Sequence, residues 1–289
     1  MATFNICKIQ INDFHHLFDD LILSLASSLH DLGHECGVSV NEMAPGAINI
    51  FIGSIIFDDV LTSVPIDYPY IVYQLEILDN NKGHLKNFPN YLAFLKRAQA
   101  VWDYSPKNVS YLESNGFTNV LHVPPGYHLA CERIPRQDFY EYDFMFVGSL
   151  SPRRRVFLER LLQQGHRVGA ITEINCTFGD RRDQLIGRSK FIVNVHCFDD
   201  LNHLETVRLS YLLTNRIAVI SEVSDHDPYE GAIGYAPYSE LAAFCASMLK
   251  DGDKFQNYAD AGYAAIKKID MVLFVKNAIA KIHFEVFAQ

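Results

Sequence analysis

An α/β chain in two halves, each a parallel sheet wrapped by helices, is predicted from three observations. Short apolar runs alternate with amphipathic stretches of helical period along most of the sequence. That alternation lapses once, between Pro124 and Tyr142, into prolines, charges and aromatics, and then restarts. With 289 residues the chain also exceeds the usual size of one hydrophobic core. The division expected is residues 1–125, 126–270 and a closing helix over 271–289.

The first half opens with a strand over Phe4–Ile11 and a helix over Phe14–Leu32, which carries Phe14, Leu17, Phe18, Leu21, Leu25, Leu29 and Leu32 on one face and ends at Gly33. Strands follow over Cys36–Val40, Ile48–Ile52 and Tyr70–Leu75. A helix over Tyr91–Ala98, a strand over Ala100–Asp103, a helix over Pro106–Asn115 and a strand over Val120–Val123 complete the half. After the lapse come strands over Phe144–Val147, Arg167–Ile171, Phe191–His196 and Ile217–Ser221, with helices over Arg154–Gln164, Asp180–Arg188 and His203–Thr214 between them. Helical stretches over Tyr238–Leu249, Lys254–Lys268 and Met271–Phe287 close the chain. Short apolar strands joined by amphipathic helices mean parallel sheets covered on both faces, here two Rossmann-like domains facing a cleft.

Apolar residues at 49 % and charged residues at 20 % describe a globular protein, and the formal charge of −9 argues against a protein that coats nucleic acid. The charge is uneven. From Ser151 to Lys190 nine Lys or Arg face four acids, a local excess that suits a small anionic ligand better than a polymer. Six scattered cysteines without metal spacing read as free thiols of a reducing compartment. Without a signal sequence or an apolar run of about 18 residues, a cytoplasmic location with no transmembrane segment is expected.

The stretch Asp143–Arg155, DFMFVGSLSPRRR, concentrates the chemistry. An apolar strand stops at Gly148, a short polar loop follows, and Pro152 opens a helix with Arg153, Arg154 and Arg155 in its first turn. Strand, glycine and helix start is how α/β proteins build an anion site. Cations in a first turn oppose the helix dipole by roughly a few tenths of a kcal/mol each, and a bound phosphate would reverse that conflict. A solvated basic turn is the plainer alternative.

The runs FVGSLSPRRRVFLERL, RDQLIGRSKFIVNVH and LETVRLSYLLTNRIAVISE resemble the donor-binding half of GT-B glycosyltransferases, in particular the bacterial family-1-like and spore-maturation-like group. About 80 residues carry the resemblance well, and the first half only loosely, through Leu32–His34 and Trp102–Ser105. It implies that Gly148 and Ser149 let backbone approach the diphosphate of a nucleotide sugar, which Arg154 and Arg155, with Arg153, would bind. The nucleotide sugar is then a co-substrate, with no further cofactor and no metal, and the C-terminal helix crosses back to the N-terminal domain. Fixed cations would stabilise the charge that grows on a leaving nucleoside diphosphate.

Within that reading Glu205 meets the ribose hydroxyls and Arg208 a phosphate or carboxylate, both on one face of a helix, although a helical ion pair of about 0.2–0.5 kcal/mol would have the same spacing. His196, at a strand end, could face the same cleft. Many retaining members carry two glutamates eight apart; here Ser210 stands at the second position, with Asn215 and Ile217 at a glycine and a proline. Glu205 one turn earlier, or Glu222 after the strand, would then serve. A base for an acceptor hydroxyl would come from the N-terminal half, where Asp13, His15 and Glu76 each follow an apolar strand, beside His16. Asp103 reads better as a cap for the helix near Pro106. The acceptor, be it glycan, protein or small molecule, stays open. So do a non-catalytic nucleotide-sugar or phosphate binder and a GT-B-shaped isomerase or hydrolase.

Overall fold

The computed structural model describes residues 1–10, 13–57, 70–78, 90–135, 137, 139–175, 177–200, 202–250, 252 and 254–282, with backbone alone at 13–15, 56 and 57. It divides into two units, residues 1–128 with 270–289, and residues 129–269.

In the first unit six strands, β1 (Thr3–Lys8), β2 (Glu35–Val40), β3 (Ile48–Ile52), β4 (Tyr70–Gln74), β5 (Ala100–Asp103) and β6 (Val120–His122), form a parallel sheet in the order β2-β1-β3-β4-β5-β6. The helices are α1 (Asp19–Asp31), α2 (Tyr91–Arg97) and α3 (Pro106–Ser114). β4 and β5 are buried along their whole length and β1 and β3 along all but the first residue, as apolar runs such as IFI of β3 and YIVY of β4 require. β2 is instead an exposed edge, with Val38 53 % accessible, so only part of the sheet is covered on both faces. The helix expected from Phe14 starts later. A 3-10 helix occupies Asp13–Phe18 and α1 begins at Asp19, where Asp19 and Asp20 favour the helix N-terminus. Leu17 accordingly faces solvent, while Leu21, Leu25 and Leu29 fill the core.

The second unit is a parallel sheet in the order β11-β10-β9-β7-β8, made of β7 (Tyr142–Val147), β8 (Val168–Ile171), β9 (Ser189–Asn194), β10 (Val219–Glu222) and β11 (Gly234–Ala236). Helices α4 (Pro152–Gln163), α5 (Gly179–Gly187), α6 (Thr206–Thr214), α7 (Tyr238–Leu249) and α8 (Lys254–Ile266) alternate with or follow the strands. Phe144, Phe146, Phe157, Phe191 and Leu241 anchor its core. Asn215 ends α6. Its side chain accepts from the backbone of Arg133 and Ile134 (both 2.7 Å) and donates to the Cys131 carbonyl (2.8 Å). The last helix, α9 (Met271–Ala280), packs on α1 within the first unit.

From β7 the chain passes to β8 on one side and β9 on the other, so the sheet order reverses between β7 and β9. Ligands of open α/β sheets bind beyond the carboxyl ends of the strands at such a reversal. Gly148 follows β7, and Val195 and His196 follow β9.

Candidate anion site of the second unit

Gly148 continues the β7 ladder through its N–H to the Ile171 carbonyl (2.9 Å), then turns with φ +143°, a conformation side chains resist. The Leu150 N–H is held by the Glu173 carboxylate (2.9 and 3.1 Å). Ser151 caps α4 by accepting from the Arg154 N–H (3.3 Å), and Pro152 fits the first helical position. A Cβ at position 148 would lie 2.8 Å from Nη2 of Arg208. Gly148→Ala is therefore expected to cost more than about 1 kcal/mol of stability and to displace that guanidinium. Thermal melts check the first, and a crystal structure of the variant the second.

The three arginines do not act as a set. Arg153 forms a fork with Glu222 (2.6 and 2.5 Å), also pairs with Asp199, and lies 3.7 Å from the Tyr238 ring centroid. Arg154 turns inward and is 3 % exposed. It donates to the carbonyls of Val195 (2.7 Å) and Ser149 (3.0 Å), and to Glu205 (3.2 Å). Arg155 is exposed on the outer face of α4. Of the three arginines expected to bind a diphosphate together, Arg153 and Arg154 are met by carboxylates of the protein, which answer the first-turn conflict, and helical geometry sends Arg155 to solvent.

The basic island is largely neutralised in the same way. Asp143 takes Arg167 (2.8 Å) and Lys190 (3.3 Å), and Asp183 takes Arg182 (2.8 Å). Glu222 is the last residue of β10, not a residue beyond it. Its carboxylate, committed to Arg153 and to the His196 N–H (3.1 Å), braces the loop after β9.

The remaining groups meet around Asn194, which is fully buried. Asn194 donates to Glu205 (2.7 Å) and Ser221 (3.0 Å) and accepts from Nη1 of Arg208 (2.9 Å). Glu205 is the N-cap position of α6 without a side-chain cap bond, and its carbonyl accepts from the Arg208 N–H (3.1 Å), so the two stand one turn apart at the helix start. His196 lies two residues past β9. Its Nε2 faces the Val223 carbonyl (3.0 Å), and its Nδ1 is 3.3 Å from Glu205, off the line of a hydrogen bond.

Burial alone would raise the Glu205 carboxyl, but His196, Arg208 and Asn194 hold it down at about 2. Burial alone would lower His196, yet Glu205 and the Val223 carbonyl raise it above its ordinary value. Arg208 is brought down to about 10 by burial, with Glu205 opposing and Arg154 adding to the shift, and it stays charged at neutral pH. Glu205 keeps 23 % of its side chain accessible and Arg208 is half-buried, so both charges keep a path to solvent.

These directions fix a pH signature. Glu205 stabilises the fold above its ordinary value of 4.5, a contribution lost as pH falls towards 2. His196 stabilises it below its ordinary 6.5, and that contribution is lost as pH rises through the raised folded value. The pair is expected to stabilise most between these ordinary values. Urea midpoints across pH check this, with Glu205→Gln flattening both limbs.

In the first unit, Asp13 and His15 have their backbone in the 3-10 helix, and their side chains lie outside the described residues. Glu76 follows β4 with its backbone clamped: Gln74 and Asn108 donate to its carbonyl (2.6 and 2.8 Å). Asp103 accepts from the Ser105 N–H (2.8 Å) and from Asn108 (3.1 Å), and burial lifts its carboxyl to about 7 despite these bonds and that of Gln74. It secures the turn into α3, whose N-cap is Ser105. Lys8, buried at the end of β1, pairs with Asp19, which His16 also meets (2.6 Å). Among the described residues no group of three His, Cys, Asp or Glu is arranged to hold a metal, and no helix is long and apolar enough to cross a membrane.

Comparison with known proteins places this architecture. No family model matches the chain. Protein L140 of Acanthamoeba polyphaga mimivirus is 31 % identical over 165 residues, 53 % of this chain and 50 % of that one. Protein R358 of the same virus is 30 % identical over 166 residues, 54 % and 55 % of the two chains. The chain thus spans about half the length of these curated relatives.

Among solved structures, an alpha-glucosyltransferase in complex with UDP and DNA superposes with a TM-score of 0.62 at 9 % identity, over 98 % of this chain and 100 % of that one. TarM superposes at 0.59 with 8 % identity, over 82 % and 54 %. The trehalose 6-phosphate synthase of Burkholderia multivorans superposes at 0.55 with 10 % identity, over 93 % and 75 %. The chain has the fold of GT-B glycosyltransferases, with two Rossmann-like units.

Proposed function

We propose that the chain is a nucleotide-sugar-dependent glycosyltransferase whose second unit holds the donor diphosphate between Arg208 and the Gly148 turn. Arg208 carries the reading. It is a desolvated guanidinium with no carboxylate within 4.0 Å among the described residues, packed against a glycine where the sheet order reverses. A guanidinium desolvated to this degree, with Glu205 acting on it only at longer range, gains from a counterion that a ligand supplies.

In the transfer, the bond from the anomeric carbon to the diphosphate oxygen breaks and a bond to an acceptor oxygen forms. Negative charge grows on the departing diphosphate, and Arg208 binds it more strongly as it grows, which lowers the barrier. Glu205, held ionised by His196 and Asn194, is suited to accept hydrogen bonds from donor hydroxyls. The UDP bound by the alpha-glucosyltransferase neighbour supports trying uridine donors first. The DNA in that complex is not carried over, since a net charge of −9 disfavours a polymeric phosphate acceptor.

A panel of UDP-, GDP- and ADP-sugars, followed by nucleoside diphosphate release and mass analysis of the sugar, tests the reading. Release from at least one donor, lost in Arg208→Ala, is expected. Tight nucleotide binding without release from any donor would make the chain a binder, and an altered free sugar without transfer would make it an isomerase or hydrolase.

A further inference from the structure

Glu205 and Arg208 are three residues apart at the start of α6, where a carboxylate and a guanidinium ordinarily pair. Here no ion pair within 4.0 Å joins them among the described residues; Glu205 pairs with Arg154 (3.2 Å) and His196 (3.3 Å) instead. Asn194 intervenes, giving its amide hydrogens to Glu205 (2.7 Å) and its carbonyl oxygen to Arg208 (2.9 Å). Its orientation is fixed by chemistry. Nδ2 also donates to Ser221 Oγ (3.0 Å), whose own proton goes to the Glu222 carbonyl (2.8 Å). A flipped amide would set oxygen against a carboxylate and N–H against a guanidinium.

We propose that Asn194 is a positioning residue that holds Glu205 and Arg208 apart and so keeps the guanidinium open to the phosphates of the donor. The inference deepens the donor-site reading above and rests on it. A neutral amide satisfies one donor of Arg208 and one acceptor of Glu205 without cancelling either charge. A carboxylate at this position would occupy Arg208 as a phosphate does and repel Glu205. A smaller side chain would let Glu205 close onto Arg208. In either case the cation is consumed by the protein.

Inorganic pyrophosphate is the probe, because it lacks the ribose and sugar that Glu205 would contact. Wild type is expected to bind it, and Asn194→Asp and Arg208→Ala each to weaken binding at least about 30-fold. The double variant Asn194→Asp with Arg208→Ala should be no weaker than Arg208→Ala alone, because both act through one guanidinium. Asn194→Ala should also lose affinity, and adding Glu205→Gln should restore it to within about 3-fold of Glu205→Gln alone, a rescue that a merely structural asparagine would not show.

Wild-type affinity in Asn194→Asp, independent losses in the double variant, absence of rescue, or no pyrophosphate binding by wild type would each overturn the proposal. Coupled loss with rescue, in a chain that turns over no nucleotide sugar, would uphold Asn194 and remove the transferase reading.

Discussion

Replacing Arg208 by Ala is expected to weaken binding of a nucleoside diphosphate by about 2–3 kcal/mol, roughly 30- to 150-fold, the range for hydrogen bonds to charged groups. Stability should change by less than about 1 kcal/mol, because the variant loses one bond to Asn194 and the attraction to Glu205 but also the cost of desolvating the guanidinium. Calorimetric titration with UDP, beside thermal melts of both proteins, makes the comparison. Loss of stability with unchanged affinity would make Arg208 a structural residue. Salt should weaken wild-type binding less than it weakens an exposed pair, since a partly buried guanidinium is screened less.

The opposite pattern is expected at Arg153. Arg153→Ala leaves the Glu222 carboxylate, only 7 % exposed, with the His196 N–H as its remaining described partner, and removes the stack on Tyr238. Breaking one side of a buried pair costs about 3–5 kcal/mol, which for a unit of this size lowers Tm by roughly 10 °C or more. Nucleotide affinity of the protein that remains folded should fall less than about 3-fold, since Arg153 meets the site only through the His196 backbone carbonyl (3.3 Å) and not through Arg208 or Glu205. Denaturant melts and titration below the lowered Tm read the two quantities separately. A stable variant that had lost its nucleotide would return Arg153 to the diphosphate.

The contrast between the two arginines shows what the sequence carries. The βα alternation was legible because parallel strands buried on both faces are nearly continuous apolar runs, and Gly148 marked the turn into α4. The separate fates of the arginines were partly legible too. Arg154 precedes Phe157 by three and Leu158 by four, which puts it on the core-facing side of α4, and burial follows. That signal was masked by reading RRR as one basic cluster.

Asn194 was missed because it sits inside the run FIVNVH, which reads as an apolar strand ending at a histidine. A polar amide within a buried strand requires partners, and that requirement was the available clue. Lys8 at the end of β1 carried the same clue. The partners themselves, Glu205, Arg208 and Ser221, come from later elements, and only the strand order brings them to the β7–β9 reversal. β11 offered three residues, too few for a period, and pairs with β10 where Phe244 packs close to Gly234. The late start of α1 follows from Asp19 and Asp20, whose preference for a helix N-terminus outweighs the apolar pattern begun at Phe14.

A crystal structure of the chain with a nucleoside diphosphate, UDP first, tests the central claim most directly. The account predicts phosphate oxygens in hydrogen-bond contact with the Arg208 guanidinium and lying over the Gly148–Ser149 backbone, with the Asn194 amide unmoved and Arg153 still on Glu222. A diphosphate seated on Arg153 or Arg155, with Arg208 drawn onto Glu205, would contradict it.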